Sequence, residues 1–317
     1  MMMGRRALLG AGAGGLLAAC SRPSAGGGAV SFIIPYAPGG GFDSYVRAVI
    51  PSLQRTLGAQ VIPQNIDGGG GVRAAQELYR ARPDGSTIAV INIPGIMILQ
   101  RQGGVGADLN RLSWIANMGR DGYALMVSAN SPYRSLDDLR ALGRQRKVKF
   151  TCVSSAGTAY LATRVGARLL DIPVEIITGY RGTNDYIVAA ARGDGDACIA
   201  SVASIASYMS ANAVRVLCTF EKHSSLPGVP DATTLGLPAL TDIAQFRAIA
   251  GPPGMAPATM QRLSSAFVAA LRTPAVLDWA RRNHASLTPD GAAETQQILQ
   301  DQMRLMDRWK DQLGVTA

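Results

Sequence analysis

Four places in this sequence put glycines beside hydroxyl, amide or charged residues where an apolar run gives way to an amphipathic one. In the first, Tyr36-Ala37-Pro38-Gly39-Gly40-Gly41-Phe42-Asp43 follows the run VSFII, and Asp43 stands where a helix N-cap or first-turn acid belongs. Bare of side chains, Gly39 to Gly41 let a carboxylate come within hydrogen-bonding distance of the main chain. Unpaired N–H groups and the positive end of a helix dipole favour an anion there. The stretch CVSSAGTAYLATRV repeats the logic with Ser154, Ser155, Gly157, Thr158 and Ala159. IITGYRGTNDY does so again with Tyr180, Arg181 and Gly182, and INIPG offers Asn92. Ser201, closing DACIAS, joins the candidate set. Each glycine taken singly is also explained as a turn residue at positive φ. Together, four polar strand ends point to a small-molecule cleft.

Other chemistries lack their residues. Ser154, Ser155 and Thr158 are nucleophiles by type only, since no motif ties them to His223 or His284. Asp194 and Asp196 in RGDGDA read as a turn before a strand rather than an acid pair. A hydrolase or transferase therefore ranks below a binding protein. No glycine run continues into Gly-Lys-Ser/Thr, which excludes a nucleotide P-loop. Gly10, Gly12 and Gly15 fit G-x-G-x-x-G, but no strand precedes them. The chain has no C-x-x-C pair and its two histidines are far apart, so neither a metal nor another cofactor is called for. Charged residues are 17% and aromatics 6%, without basic blocks between aromatics, which argues against nucleic acid.

The elements that must position these residues follow a leader. MMMGRRALLGAGAGGLLAAC has a basic start, an apolar stretch too short to span a bilayer, and small residues before Cys20. Leu17-Ala18-Ala19-Cys20 has the layout of a lipobox, with Cys20 the acylated residue. Arg5 and Arg6 suit a twin-arginine signal, and SRPSAGGGA makes a small polar tether. An ordinary secretory signal with an incidental cysteine is the plainer alternative. Losing Arg5 and Arg6 takes two from the formal charge of +9, and the remaining excess suits an anionic ligand, a merely solvated basic surface being the commoner explanation. Cys152, Cys198 and Cys218 lie in apolar runs and read as buried core, with at most one pair able to bridge.

The rest is long enough for two domains and alternates strand-like with helical runs, implying α/β architecture with parallel sheets. A helix is expected from about Asp43 to Leu57, with Tyr45, Val49, Leu53 and Leu57 on one stripe. DGYALMVS reads as a strand, and AAETQQILQDQMRLMDRWKDQL as a single final helix.

The chain resembles the substrate-binding receptors of tripartite tricarboxylate transporters, the Bug family. The resemblance rests on Pro38-Gly39-Gly40 with Asp43, Asn65 before glycines, Pro83-Asp84-Gly85 with Thr87, Gly157-Thr158, and Gly179-Tyr180-Arg181-Gly182. SLPGVPDATTLGLPAL and AGPPGMAPATMQRLSSAFVAAL continue it in order. It implies a two-lobed periplasmic binding protein of type II that closes like a flytrap, with C-terminal helices on the first lobe. Lobe 1 is then expected over 30–121 and 230–317 and lobe 2 over 122–229, after a signal at 1–20 and a tether at 21–29. In that family a loop from each lobe grips a ligand carboxylate; here these would be Tyr36 to Asp43 and Ser154 to Ala159. Tyr36, Phe42 and Tyr180 would shape the pocket, and Arg181 would either meet a second negative group or stand as a solvated surface charge. The implied partners are a small organic acid and membrane permease subunits, for a lipid-anchored periplasmic monomer; a sensor kinase is the alternative partner. Phe42, Leu161 and Leu235 depart from the family's usual residues, so ligand identity does not carry over.

Overall fold

Alternate residues of the apolar runs bury opposite faces of one sheet. In the computed structural model, which describes residues 27–154 and 157–314, Phe32 and Ile34 pack on one side of the first strand and Ile33 on the other. The chain runs β1 (Gly27–Ile34), α1 (Gly41–Leu57), β2 (Ala59–Asn65), α2 (Val72–Arg80), β3 (Thr87–Ile93), α3 (Gly95–Arg101) and β4 (Ser113–Ser128). It continues through α4 (Leu136–Gln145), β5 (Val148–Thr151), α5 (Thr158–Leu169), β6 (Val174–Ile177), α6 (Thr183–Arg192), β7 (Ala197–Ser201), α7 (Val202–Ser210) and β8 (Val214–Thr219). The last stretch holds β9 (Ala244–Gly251), α8 (Pro257–Leu271), α9 (Pro274–Arg282), β10 (Leu287–Asp290), α10 (Ala292–Arg308) and α11 (Lys310–Leu313).

The strand order is β2-β1-β3-β9-β4-β7-β5-β6, with β10 and β8 also paired to β4. Pairing is parallel at both outer ends, as the strand–helix alternation implies, and antiparallel through β9 and β4. β4 is the reason. Its first part, Ser113 to Gly122, pairs with β9; from Tyr123 onward it pairs with β7 and β8. A Cβ on Gly122, at that change of partner, would lie 2.6 Å from Glu221 Cγ on the returning chain, so the two crossing segments touch through a bare backbone.

DGYALMVS is thus the second half of a 16-residue strand. The first half, SWIANMGR, was not read as strand; both faces of β4 are buried along its whole length, so no two-residue alternation marks where it begins. The expected final helix is also interrupted, at Trp309 (φ −111°, ψ 16°), between α10 and α11. The expected helix after Asp43 forms, beginning two residues earlier at Gly41 and carrying Pro51 inside it. Cys152, Cys198 and Cys218 are buried and unbridged; burial pushes the Cys152 thiol up to about 11. Among the described residues no helix is long and apolar enough to cross a membrane. The leader with Cys20, residues 21–26 of the tether, and Ser155 lie outside the described residues.

Candidate functional site

The first glycine loop is folded back by its own acid. Asp43 accepts the Gly39 N–H at 2.9 Å, Arg47 Nε at 2.9 Å and Asn65 Nδ2 at 2.9 Å. Asn65 Nδ2 also reaches the Tyr36 carbonyl at 2.9 Å, and Arg47 Nη2 donates to Asn65 Oδ1 at 3.0 Å. This clip fixes Gly39 at φ +83°, where a side chain would be strained. Burial alone would raise the Asp43 pKa, but Arg47, the Gly39 N–H and Asn65 outweigh it and hold the carboxyl below its usual range. One expectation changes as a result: the Gly39 N–H is taken by Asp43 rather than offered to a ligand. The first turn of α1, from Gly41, still presents N–H groups with no intrahelical acceptor.

From this loop a hydrogen-bond relay runs to the start of α5. Asn92 Nδ2, at the end of β3, donates to the Tyr36 hydroxyl at 2.7 Å. Thr158 Oγ1, on the first residue of α5, donates to Asn92 Oδ1 at 2.8 Å, and Gln245 Nε2 of β9 lies 3.3 Å from the same oxygen. Burial pushes the Tyr36 phenol up to about 12, against the opposing pull of Asn92 and Arg247, so it stays a protonated hydroxyl at neutral pH. Gly95 makes the approach possible: a Cβ there would lie 2.7 Å from Thr158 Oγ1 and 2.9 Å from its backbone N. Gly157, at φ +89°, caps α5 and accepts the Leu161 N–H at 3.0 Å. The N-terminal turn of α5 and the Tyr36 end of the loop before α1 therefore meet at Asn92.

The remaining candidates divide. The third loop is tied to the second, Gly179 N–H donating to the Val153 carbonyl at 3.2 Å, and Tyr180 packs on the same apolar cluster as Val153 and Ala159. Gly182 is the N-cap of α6. Arg181, expected to meet a second negative group, has a side chain 93% exposed and paired with Asp185 at 3.2 Å. It is a solvated surface charge. Ser201 is buried, its hydroxyl 2.8 Å from that of Ser204. Phe42 does not line an open wall but is buried edge-on against Tyr36, with ring centroids 4.9 Å apart. Ala37 and Pro38 are exposed on the loop, and Ser154 is half-buried at the end of the β5 loop.

Sequence reading missed Asn65 and Gln245 as site residues, and above all Arg247. Arg247 stands opposite Asn92 in the β3–β9 ladder, two residues after Gln245, so all three side chains leave one face of the sheet. The available signal was a lone arginine inside the apolar strand QFRAIAG.

Comparison with known proteins adds the following. The profile of the tripartite tricarboxylate transporter family receptor matches residues 45–315. A UPF0065 protein from the tcbD–tcbE intergenic region of Pseudomonas sp. strain P51 is 26% identical, over 89% of this chain and 84% of its own. BugT of Bordetella pertussis is 25% identical, over 78% of each. Among solved structures, an R. palustris protein with adipate superposes at a TM-score of 0.81 with 19% identity, covering 93% of this chain and 99% of that one. MatC of Rhodopseudomonas palustris, with bound malate, gives 0.79 and 19%, over 90% and 99%. At such identities the superpositions establish a shared fold, that of two-lobed periplasmic binding proteins.

Proposed function

The chain belongs to the tripartite tricarboxylate transporter receptor family, and from that premise we propose that it captures a small organic carboxylate between two lobes and hands it to membrane permease subunits. We take residues 30–121 and 230–317 as lobe 1 and 122–229 as lobe 2, a division supported by the change of β4 partners at Gly122–Tyr123. The observation that carries the reading is the Thr158–Asn92 hydrogen bond. It holds the first residue of α5 against the end of β3, beside the glycine loop that opens α1. Two helix N-termini then face one small volume, and a carboxylate is the group such a place prefers. Malate and adipate in two relatives of the same fold support a carboxylate as the ligand class.

In this reading the carboxylate takes N–H groups from the first turn of α1 and from Gly157–Thr158, with the Thr158 hydroxyl exchanging its Asn92 partner for the ligand. Tyr36 and Tyr180 border the remainder of the ligand. No bond is made or broken, so the role needs no catalytic residue. Cys20 would anchor the mature protein by its lipid on the periplasmic side, delivered by the leader. Binding favours the closed form by the contacts that the open form cannot make.

A thermal-shift screen of the purified mature protein against mono-, di- and tricarboxylates of two to eight carbons, malate and adipate included, tests this. A true ligand at a hundred times its Kd stabilises by about 2.7 kcal/mol, a shift of several degrees. A panel in which no carboxylate raises Tm, while a neutral sugar or an amino acid does, would overturn the ligand class.

A further inference from the structure

Arg247 is among the largest fully buried side chains of the protein, 2% exposed, and it lies directly behind the glycine loop. A Cβ on Gly41 would sit 3.4 Å from Arg247 Nη2, so only bare backbone separates the guanidinium from the first turn of α1. Its Cζ stacks 3.8 Å from the Tyr45 ring centroid and 4.9 Å from that of Phe42, two residues of one face of α1. Asp121 balances the charge: Nη2 and Oδ2 are 2.6 Å apart, and Tyr45 donates its hydroxyl to Oδ1 at 2.9 Å.

The balance is incomplete in hydrogen bonds. Among the described residues Arg247 Nε and Nη1 have no acceptor, and Asp121 Oδ2, despite its closeness, has no aligned donor. A guanidinium carries five N–H donors, and leaving buried ones unmade costs more than most paired ones return. Such an arrangement is retained where another group completes it. The neighbours that share its sheet face are Asn92 and Gln245, the residues that meet Tyr36 and Thr158.

We infer that Arg247 is the charge partner of the ligand, one unpartnered edge of its guanidinium donating to a carboxylate seated on the first turn of α1 at Gly41. The inference rests on the receptor reading above and sharpens it: the α1 end of the ligand must be ionised, so the free acid is bound and its amide is refused. The other charges near the loop do not supply this preference. Asp43 is neutralised by Arg47, and Arg181 is out in solvent on Asp185. Arg247 is charge-paired too, with Asp121, but among the described residues its buried Nε and Nη1 have no acceptor, which leaves it the cation with hydrogen bonds to give an anion at Gly41.

The test measures, by titration calorimetry, the affinity of each carboxylate found in the screen and of its corresponding amide. Wild type is compared with Arg247→Lys and with the charge-balanced pair Arg247→Met/Asp121→Asn. Wild type should favour acid over amide by at least a hundredfold. The lysine variant keeps the charge and loses the fork, and should bind the acid on the order of 10-fold more weakly. The paired variant should lose 10- to 100-fold and bind acid and amide within a few-fold of each other. A merely structural arginine would lower stability in both variants without narrowing the acid-to-amide ratio, and that result overturns the inference while leaving the receptor intact. If the paired variant fails to fold, the lysine variant decides: wild-type affinity and wild-type discrimination in it would also overturn the inference. A wild type that binds no acid at all would remove the receptor reading, and this inference with it.

Discussion

At the scale of residues, Asp43 governs the shape of the glycine loop. It joins Gly39, Asn65 and Arg47, three groups from two strands' ends and one helix. Arg47 is about half exposed, at 48%, so water screens its share of the attraction, and most of the clip's strength lies with the Gly39 N–H and the Asn65 amide. Replacing Asp43 with Asn should cost about 1.5–3 kcal/mol, the range for hydrogen bonds to a charged group. The pH dependence follows from the direction of its pKa. A carboxyl held lower in the folded chain than in the unfolded one contributes fully above the ordinary value of about 3.9 and loses its contribution as pH falls through the folded value. Urea midpoints measured from pH 6 down to pH 2 should therefore fall more steeply below about pH 4 in the wild type than in Asp43→Asn. Parallel curves would mean that the clip carries no stability.

At the scale of elements, the glycines of the first loop are not equivalent, and the difference makes a clean experiment. Gly40 is extended (φ −79°, ψ 172°), and a Cβ there would meet only the Ala37 carbonyl at 3.7 Å. Gly39 is left-handed at φ +83°. Gly40→Val should thus cost under about 1 kcal/mol, the order of an N-cap replacement, yet fill the mouth of α1 with a branched side chain and abolish carboxylate binding. Gly39→Val should add roughly 1–2 kcal/mol of backbone strain. Unchanged affinity in Gly40→Val would take the ligand away from this helix. The same contrast explains what the sequence could disclose. Glycine runs between an apolar strand and an amphipathic helix are local signals, so the loops at Gly39–Gly41 and Gly157, the helix of Tyr45, Val49 and Leu53, and the α/β alternation were legible. Arg247 was not, because its meaning depends on β9 lying between β3 and β4, a pairing across more than a hundred residues of sequence. Nor was the length of β4, whose buried faces leave no alternation to read. Arg181, prominent in sequence beside glycines, proved to be an ordinary solvated ion pair.

At the scale of the whole molecule, the two-lobed reading proposed above makes closure depend on one helix. α5 meets the opposite side of the cleft through Thr158 on Asn92, through Gly95 against the Thr158 backbone, and through Arg164 Nε donating to the Gln312 carbonyl at 3.1 Å. The chain changes side through β4 and returns after β8, which makes those two segments the hinge of the two-lobed reading. If so, a methyl group at Gly95 is a wedge with a state-specific cost. With α5 moved away it would meet only the Asn92 amide, at 3.1 Å, whereas with α5 in place it also stands 2.9 Å from the Thr158 backbone N, a group that no rotamer change can move. Overpacking against Thr158 costs about 1–3 kcal/mol, and that part falls on the closed state alone. Gly95→Ala should therefore bind its carboxylate roughly 5- to 150-fold more weakly. Its radius of gyration by small-angle scattering should rise, and its unfolding transition in the absence of ligand should stay near that of wild type. Equal affinity and equal scattering would show that the Thr158–Gly95 contact persists in every state, and the lobes would then not open at this seam.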